Sequence, residues 1–146
     1  MKKAKKGKRA EFVLDGSIAL AWCFPDEKAP YPQAILDSLD QARAVVPSLW
    51  PLEVGNALLM GERRKRSTQA DTSNWLSFLN ALPITVDDEK SARAWTDVLN
   101  LARLHGLTAY DAAYLELALR RSLPLASLDD RLKDAAKAVG VPLYKP

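Results

Sequence analysis

The fold of this chain is decided by a short apolar stretch near its N-terminus, Glu11-Phe-Val-Leu-Asp-Gly-Ser17. Three consecutive large apolar residues, bounded by an Asp-Gly pair, predict a buried strand that ends at Asp15. Ser17 is a favoured helix N-cap residue, and it precedes an apolar run that predicts a helix over Ile18–Phe24, stopped by Pro25. A buried strand followed directly by a helix is the first half of a βαβ unit.

The rest of the chain repeats this alternation of short β-branched runs and longer helical runs. Four more strands are expected, at Ala44–Val46, Pro83–Val86, Leu123–Ala126 and Val141–Leu143. Six more helices are expected, over Pro30–Arg43, Trp50–Arg66, Thr68–Leu82, Asp88–Leu104, Thr108–Arg121 and Leu128–Val139. The pattern predicts an α/β protein, a three-layer α/β/α fold with a mostly parallel sheet of about five short strands. Functional groups in such sheets lie just beyond the carboxyl ends of the strands.

Composition limits the class of protein. A chain of 146 residues suits one domain, and 48% hydrophobic with 27% charged residues is ordinary for a globular protein. The longest apolar runs are far shorter than the roughly 20 residues of a membrane span, and the N-terminus lacks the pattern of a secretory signal. Cys23 is the only cysteine, which excludes an internal disulfide and suits a reducing compartment. We therefore expect a cytoplasmic protein that does not associate with membranes.

The net charge of +3 comes from the N-terminus. Residues 1–10 contain six basic and no acidic side chains, which leaves 15 basic against 18 acidic side chains in residues 11–146. The sequence thus predicts a basic, disordered tail over residues 1–10 and a single, mildly acidic domain over residues 11–146. The tail is interpreted as a solubilising segment, with sequence-independent attraction to phosphates as the alternative.

Two acidic residues lie where a strand ends or a helix begins. Asp15 directly follows the first strand, where an Asp can cap a helix or support a turn as readily as it can act in catalysis. Glu53 lies in the first turn of the helix that begins at Trp50, where the helix dipole favours a negative charge. Its neighbours in sequence are apolar, so Glu53 does not belong to an ordinary solvated face.

Asp111 is the strongest single candidate. In Thr108-Ala-Tyr-Asp111 the spacing resembles a capping box, in which the Asp111 carboxylate would bond back to the Thr108 backbone. The helix that follows is apolar on nearly all sides and is therefore expected to be buried. Asp111 would then lie at the mouth of the core, where a carboxylate is costly without a compensating cation.

Asp129 and Asp130 follow Ser127 beyond the fourth strand. Asp130 stands three residues after Ser127, at the capping-box spacing, which leaves Asp129 without an obvious structural role. Carboxylates gathered from separate parts of a chain repel one another unless a cation shares them, and Mg²⁺ prefers such oxygen ligands. With one histidine and one cysteine, the chain offers few other routes to hydrolysis.

Four short motifs occur in a fixed order along the chain: Phe12-Val-Leu-Asp-Gly-Ser17, Pro51-Leu-Glu-Val-Gly-Asn56, Leu107-Thr-Ala-Tyr-Asp-Ala-Ala-Tyr114 and Ala126-Ser-Leu-Asp-Asp-Arg-Leu132. Together they resemble the successive motifs of PIN-domain ribonucleases, and in particular the VapC-type toxins of prokaryotic toxin–antitoxin pairs. The resemblance spans residues 11–143, and the third motif is the most specific.

Carried over position by position, the resemblance implies a set of catalytic and metal-binding acids, Asp15, Glu53, Asp111 and Asp129. Asp129 or Asp130 could be the ligand, and alignment on Leu132 favours Asp129. The family's supporting polar residues fall on Ser17, Asn56, Thr108 and Ser127; the last is more often a Thr in the family.

The resemblance also implies an activity and partners. It implies endonucleolytic hydrolysis of RNA with Mg²⁺ or Mn²⁺ as cofactor, a homodimer, and a cognate antitoxin whose tail inserts into the acidic cleft. One or two metal ions remain possible, and Glu53 could hold a second ion or orient the attacking water.

Three other functions compete with this one. A haloacid-dehalogenase-type phosphatase needs a second Asp two residues after Asp15, where this chain has Ser17. A phosphoacceptor receiver domain needs paired acids near the first strand and a late Lys, which the sequence does not provide. The third is a catalytically silent PIN-like module that binds RNA or a protein. Such a module would be expected to have lost acids of the quartet, and all four are present.

Overall fold

A computed structural model describes residues 9–24, 29–88 and 91–146 of the chain. Residues 1–8, which form most of the predicted basic tail, lie outside the described residues. Ala10, also assigned to that tail, belongs to the first strand and pairs with Ala42. The tail prediction is therefore wrong at its last residue.

Four strands form one sheet within the described residues. They are β1 (Ala10–Leu14), β2 (Ala42–Val46), β3 (Ile84–Val86) and β4 (Leu125–Ala126), in the order β3-β2-β1-β4 with every pair parallel. Successive residues of a strand point to opposite faces of the sheet. Phe12, Val13 and Leu14 are all fully buried, so helices cover both faces, as the α/β prediction required.

The predicted fifth strand, Val141–Leu143, is wrong: the described sheet has four strands. The segment still lies against β4, since the Leu125 N–H donates to the Pro142 carbonyl at 2.9 Å and the Tyr144 N–H donates to the Leu125 carbonyl at 2.8 Å. Leu143 forms a single isolated bridge with Leu125. Pro142 has no N–H, so it cannot donate to a continuing ladder.

The described residues contain seven α-helices. These are α1 (Gly16–Cys23), α2 (Pro30–Ser38), α3 (Trp50–Arg63), α4 (Gln69–Asn80), α5 (Asp97–His105), α6 (Ala109–Arg121) and α7 (Asp130–Ala138). Gly106 ends α5 in the left-handed conformation, at φ 64°, as a glycine just past a helix is expected to do.

Two helix predictions were too long. The helix predicted over Pro30–Arg43 ends at Ser38, because residues from Ala42 onward pair with β1 instead. The helix predicted over Asp88–Leu104 is a 3-10 helix (Ser91–Trp95) followed by α5; residues 89 and 90 lie outside the described part. Thr96, between the two, has φ −118° and ψ −87°, which interrupts an α-helix.

The strand order positions the functional edge. From β1 the chain adds β2 and then β3 on one side, and it returns to place β4 on the other side of β1. The order therefore reverses between β1 and β4, and sheets of this kind form their crevice at such a point, at the carboxyl ends of the strands. Asp15 directly follows β1, and Asp129 follows β4 by three residues. In the described part of the chain, no helix is long and apolar enough to cross a membrane.

Candidate active site

Asp15 is held by two serines at the junction of β1 and β4. Its side chain is almost fully buried, and its Oδ2 accepts hydrogen bonds from Ser17 Oγ at 2.7 Å and Ser127 Oγ at 2.8 Å. Each serine oxygen in turn accepts a backbone N–H, from Leu128 at 3.0 Å and from Asp129 at 3.0 Å respectively. The backbone thereby directs both hydroxyl protons toward Asp15.

Burial is the main cause that raises the pKa of Asp15, and the nearby charge of Asp129 raises it further. The hydrogen bonds from Ser17, Ser127 and the Gly16 backbone act in the opposite direction. Asp15 is thus fixed in place at some electrostatic cost, because a buried carboxylate is less stable in its charged form.

Asp111 lies in the first turn of α6 and faces Asp129. Thr108 caps the helix, its Oγ1 accepting the Asp111 N–H at 3.0 Å. The reciprocal bond of a capping box, from the Thr108 backbone to the Asp111 carboxylate, is not found among the described contacts. Burial raises the pKa of Asp111, and the nearby negative charges of Asp129 and Asp15 raise it further. Like charges held together favour the uptake of a proton or a cation.

Asp129 has a structural role that the sequence did not predict. It is the N-cap of α7, and its Oδ1 accepts the Arg131 N–H at 3.1 Å. The expectation that Ser127 and Asp130 would form a capping box is wrong. The Asp130 side chain is 91% exposed and lies 3.5 Å from Lys133 Nζ. Asp129, and not Asp130, is the acid whose charge acts on Asp15 and Asp111.

Glu53 reaches the same cluster from the first turn of α3. Its side chain is half-buried, and its Oε1 accepts a hydrogen bond from the hydroxyl of Tyr114, on α6. Burial raises the pKa of Glu53, and the charges of Asp15 and Asp111 add to the increase, while the Tyr114 bond opposes it.

Asn56, the remaining predicted supporting residue, lies one helical turn after Glu53 and is exposed. With Glu53 it lines an open cavity of about 440 Å³ whose other walls are Leu49, Leu52 and Tyr110. Its side chain makes no hydrogen bond with the four acids among the described contacts. A supporting role for Asn56 remains a prediction.

The four predicted acids therefore come together at one edge of the sheet, where the charges of Asp15, Asp111 and Asp129 raise the pKa of neighbouring acids. None of them forms an ion pair with a Lys, Arg or His among the described residues. Their oxygen donors suit Mg²⁺ or Mn²⁺ in chemical type. The described residues hold no group of three or more His, Cys, Asp or Glu arranged closely enough to bind a metal by themselves. Mg²⁺ is commonly held by one or two carboxylates together with water and substrate phosphates, so this arrangement still fits it.

Tyr114 is the residue of the site that sequence reasoning missed. In the sequence it is one residue of the apolar run that follows Asp111. A usable signal was present, because residues three apart share a helix face and a buried tyrosine hydroxyl needs a hydrogen-bond partner.

Comparison with known proteins agrees with this geometry. Residues 12–138 match the PIN domain family. The chain belongs to this family. The predicted resemblance to PIN-domain ribonucleases is thereby confirmed, and its VapC-type character is supported by a relative, Ribonuclease VapC3 of Pyrobaculum aerophilum. That protein is 29% identical over 136 residues, which cover 90% of this chain and 99% of the relative.

Two solved structures share the fold. PAE2754 from Pyrobaculum aerophilum has a TM-score of 0.66 and 26% identity, covering 86% of this chain and 84% of that one. VapBC2 from Rickettsia felis, solved with a DNA fragment from its promoter, has a TM-score of 0.61 and 11% identity, covering 92% of this chain and 97% of that one. The second similarity concerns the fold alone.

Proposed function

We propose that the protein is a metal-dependent endoribonuclease that hydrolyses RNA phosphodiester bonds. The single observation that carries the proposal is the meeting of four carboxylates, without a cationic partner among the described residues, at the point where the strand order reverses. Membership of the PIN family and the similarity to a protein named as a ribonuclease support the choice of substrate.

Asp15, Asp111 and Asp129 would hold Mg²⁺ or Mn²⁺, directly or through water. When bound, the metal would supply an activated water and stabilise the negative charge that develops on the phosphate. Ser17 and Ser127 fix the direction of the Asp15 carboxylate. Thr108 fixes the first turn of α6, and with it Asp111. Glu53 would hold a second ion or orient the attacking water.

The biological role we propose is that of the toxin in a VapBC-type toxin–antitoxin pair acting in the cytoplasm. It is supported by the similarity to Ribonuclease VapC3 and by the fold shared with the toxin–antitoxin protein VapBC2. The partners would be a cognate antitoxin and, as in the family resemblance, a second copy of this chain.

One observation favours the catalytically silent alternative. The described residues contain no ready-made group of three metal ligands, which a module that only binds RNA or protein would not need. Cleavage of a generic single-stranded RNA separates the two functions. We expect cleavage with Mg²⁺, none in chelator, and a loss of roughly a hundredfold or more in the Asp111→Asn variant, since even residues that only support metal ligands cost about 10–100-fold.

Asp130→Asn is the matched control for this assay. It removes the same charge from the residue next to Asp129, but from an exposed side chain. We expect this variant to cleave as the wild type does. RNA that stays intact with Mg²⁺ and Mn²⁺, while the protein still binds it, would favour the silent module.

A further inference from the structure

We propose that Tyr114 is a positioning residue for Glu53: its hydrogen bond to one oxygen of this carboxylate fixes the orientation in which Glu53 meets a metal or a water. The Tyr114 side chain is fully buried, and its hydroxyl donates to Glu53 Oε1. Gly16 lies beside the same hydroxyl, because a Cβ added at Gly16 would be 3.6 Å from it. The Tyr114 hydroxyl thus lies where the starts of α1 and α3 meet α6.

The position of Tyr114 on α6 ties this contact to the acidic cluster. Tyr114 follows Asp111 by three residues, and residues at that spacing lie on the same face of a helix. Helix α6 therefore carries Asp111 itself and also holds Glu53, a residue of α3, through the Tyr114 hydroxyl. A shift of α6 would move both together.

Gly16 closes the pocket around the held oxygen. A Cβ added at Gly16 would lie 3.1 Å from Glu53 Oε1 and 3.6 Å from the Tyr114 hydroxyl. The space there is filled by the Glu53 carboxylate, so a side chain at position 16 would have to displace it. This close approach also accounts for a glycine directly after Asp15.

The contact restricts the orientation of the Glu53 carboxylate. Oε1 accepts the Tyr114 hydrogen bond and Gly16 packs beside it, so rotation of the carboxylate would break this bond. Tyr114 thus fixes how Glu53 is presented to a metal or a water.

A purely structural explanation exists, because every buried tyrosine hydroxyl needs a partner. The two explanations differ in what the loss of the hydroxyl changes. If the bond only satisfies the tyrosine, its removal alters stability and leaves metal binding as it was. If the bond positions Glu53, its removal alters metal affinity and turnover, and this effect disappears once Glu53 is absent.

The test is a double-mutant cycle of Tyr114→Phe and Glu53→Gln. Mn²⁺ affinity is measured without RNA by the electron paramagnetic resonance of free Mn²⁺, and kcat and KM are measured on RNA. We expect Tyr114→Phe to weaken Mn²⁺ binding and to lower kcat, each by on the order of tenfold, the effect of losing one hydrogen bond to a charged group. KM should stay within about twofold, because the phenol touches no substrate. In the Glu53→Gln background, Tyr114→Phe should have no further effect.

Tyr144→Phe is the matched control. Tyr144 is also a buried tyrosine, and its hydroxyl donates to Ser38 Oγ at 2.9 Å, away from the acids. Its loss should change stability about as much as Tyr114→Phe does, with Mn²⁺ affinity and kcat unchanged. Gly16→Ala disturbs the same Glu53 oxygen while Tyr114 itself is unchanged in sequence, and we expect it to weaken Mn²⁺ binding.

Wild-type Mn²⁺ affinity and kcat in both Tyr114→Phe and Gly16→Ala would overturn the proposal, as would an equal loss in the Glu53→Gln background. The cleavage readout rests on the proposed ribonuclease function, but the Mn²⁺ readout does not. If the wild type cleaves no RNA and Tyr114→Phe still weakens Mn²⁺ binding, the ribonuclease proposal fails and the positioning role stands.

Discussion

Helix α6 carries acids in two contrasting settings. In its first turn, Asp111 faces Asp129 and Asp15, with no cationic partner among the described residues. Further along, Glu116 is more deeply buried than Asp111, but Arg120 Nε lies 2.8 Å from its Oε2 and Arg93 Nη1 lies 3.7 Å from the same oxygen. Helix α6 therefore contributes to two acidic clusters. The first, around Asp111, has no cationic partner among the described residues, and the second, around Glu116, is paired with arginines.

The acids of the second cluster, Glu116 and Asp87, are both paired with arginines. Arg120 donates through both terminal nitrogens to Asp87, at 2.8 and 3.4 Å, and Arg121 lies between Asp87 and Glu11. Bonds to Asp87 and then to Glu116 raise the pKa of Arg120, so this guanidinium stays charged. These acids join α6 to the end of β3 and have no need of a ligand.

The difference between the clusters indicates what the first one is for. The fold provides arginines for buried acids at one end of α6, so their absence at the other end, among the residues that the structure describes, is not a general feature of this helix. Like charges held together raise each other's pKa values until a proton or a cation joins them. A cluster left in this state, at the edge where ligands bind, is suited to a divalent cation.

Of the changes that test this comparison, removing the arginine that compensates the second cluster should have the largest effect on stability. The side chains of Glu116 and Asp87 are 8% and 12% exposed. Arg120→Met removes the main cationic partner of both. We expect the free energy of unfolding to fall by about 3–5 kcal/mol, the usual cost of breaking a buried pair from one side. Urea unfolding in chelator measures it. A loss below about 1 kcal/mol, as for a surface pair, would mean that this cluster is not compensated in the way described.

The pH dependence of stability should be smaller and should come from the uncompensated cluster. Burial and neighbouring charges raise the pKa of Asp15, Glu53 and Asp111 above their values in the unfolded chain. The native state then binds more protons than the unfolded state, so these groups stabilise the fold at low pH and lose that effect as pH rises. The window runs from the ordinary carboxyl pKa of about 4 upward through the raised values.

The control for this pH effect is the Asp15→Asn/Asp111→Asn variant, melted in chelator over the same range. We expect the wild type to lose stability relative to this variant as pH rises from about 4 toward neutrality. If the wild type instead becomes more stable relative to the variant over that range, the fold favours the charged form of these carboxylates, contrary to the geometry.

The sequence allowed the central features to be predicted because they depend on local chemistry. Phe12-Val-Leu14 is apolar on both faces and could only be a buried strand, which placed Asp15 at a strand end. The capping threonine before α6 and the glycine after α5 follow rules that act within a few residues. The metal-binding and catalytic roles of the four acids remain predictions.

The errors arose where distant contacts decide the outcome. Residues near Ala42 continue the helical spacing of α2, but pairing with β1 takes them into the sheet. Ser127 and Asp130 have the spacing of a capping box, but the Ser127 hydroxyl bonds to Asp15, 112 positions away, and Asp129 caps α7 instead. The bond from Tyr114 to Glu53 joins residues 61 positions apart, beyond the reach of any local pattern.

The most direct test of the central claim is the shift in melting temperature on titration with Mg²⁺ near neutral pH. A ligand that binds only the folded state adds about 2.7 kcal/mol at a hundred times its dissociation constant. We expect the wild type and Asp130→Asn to gain stability alike, and Asp15→Asn/Asp111→Asn to lose most of the gain. Binding should also release protons and weaken as pH falls, because the metal displaces them from the carboxyls. If the double variant responds to Mg²⁺ as fully as the wild type, the ion binds elsewhere and the uncompensated cluster is not a metal site.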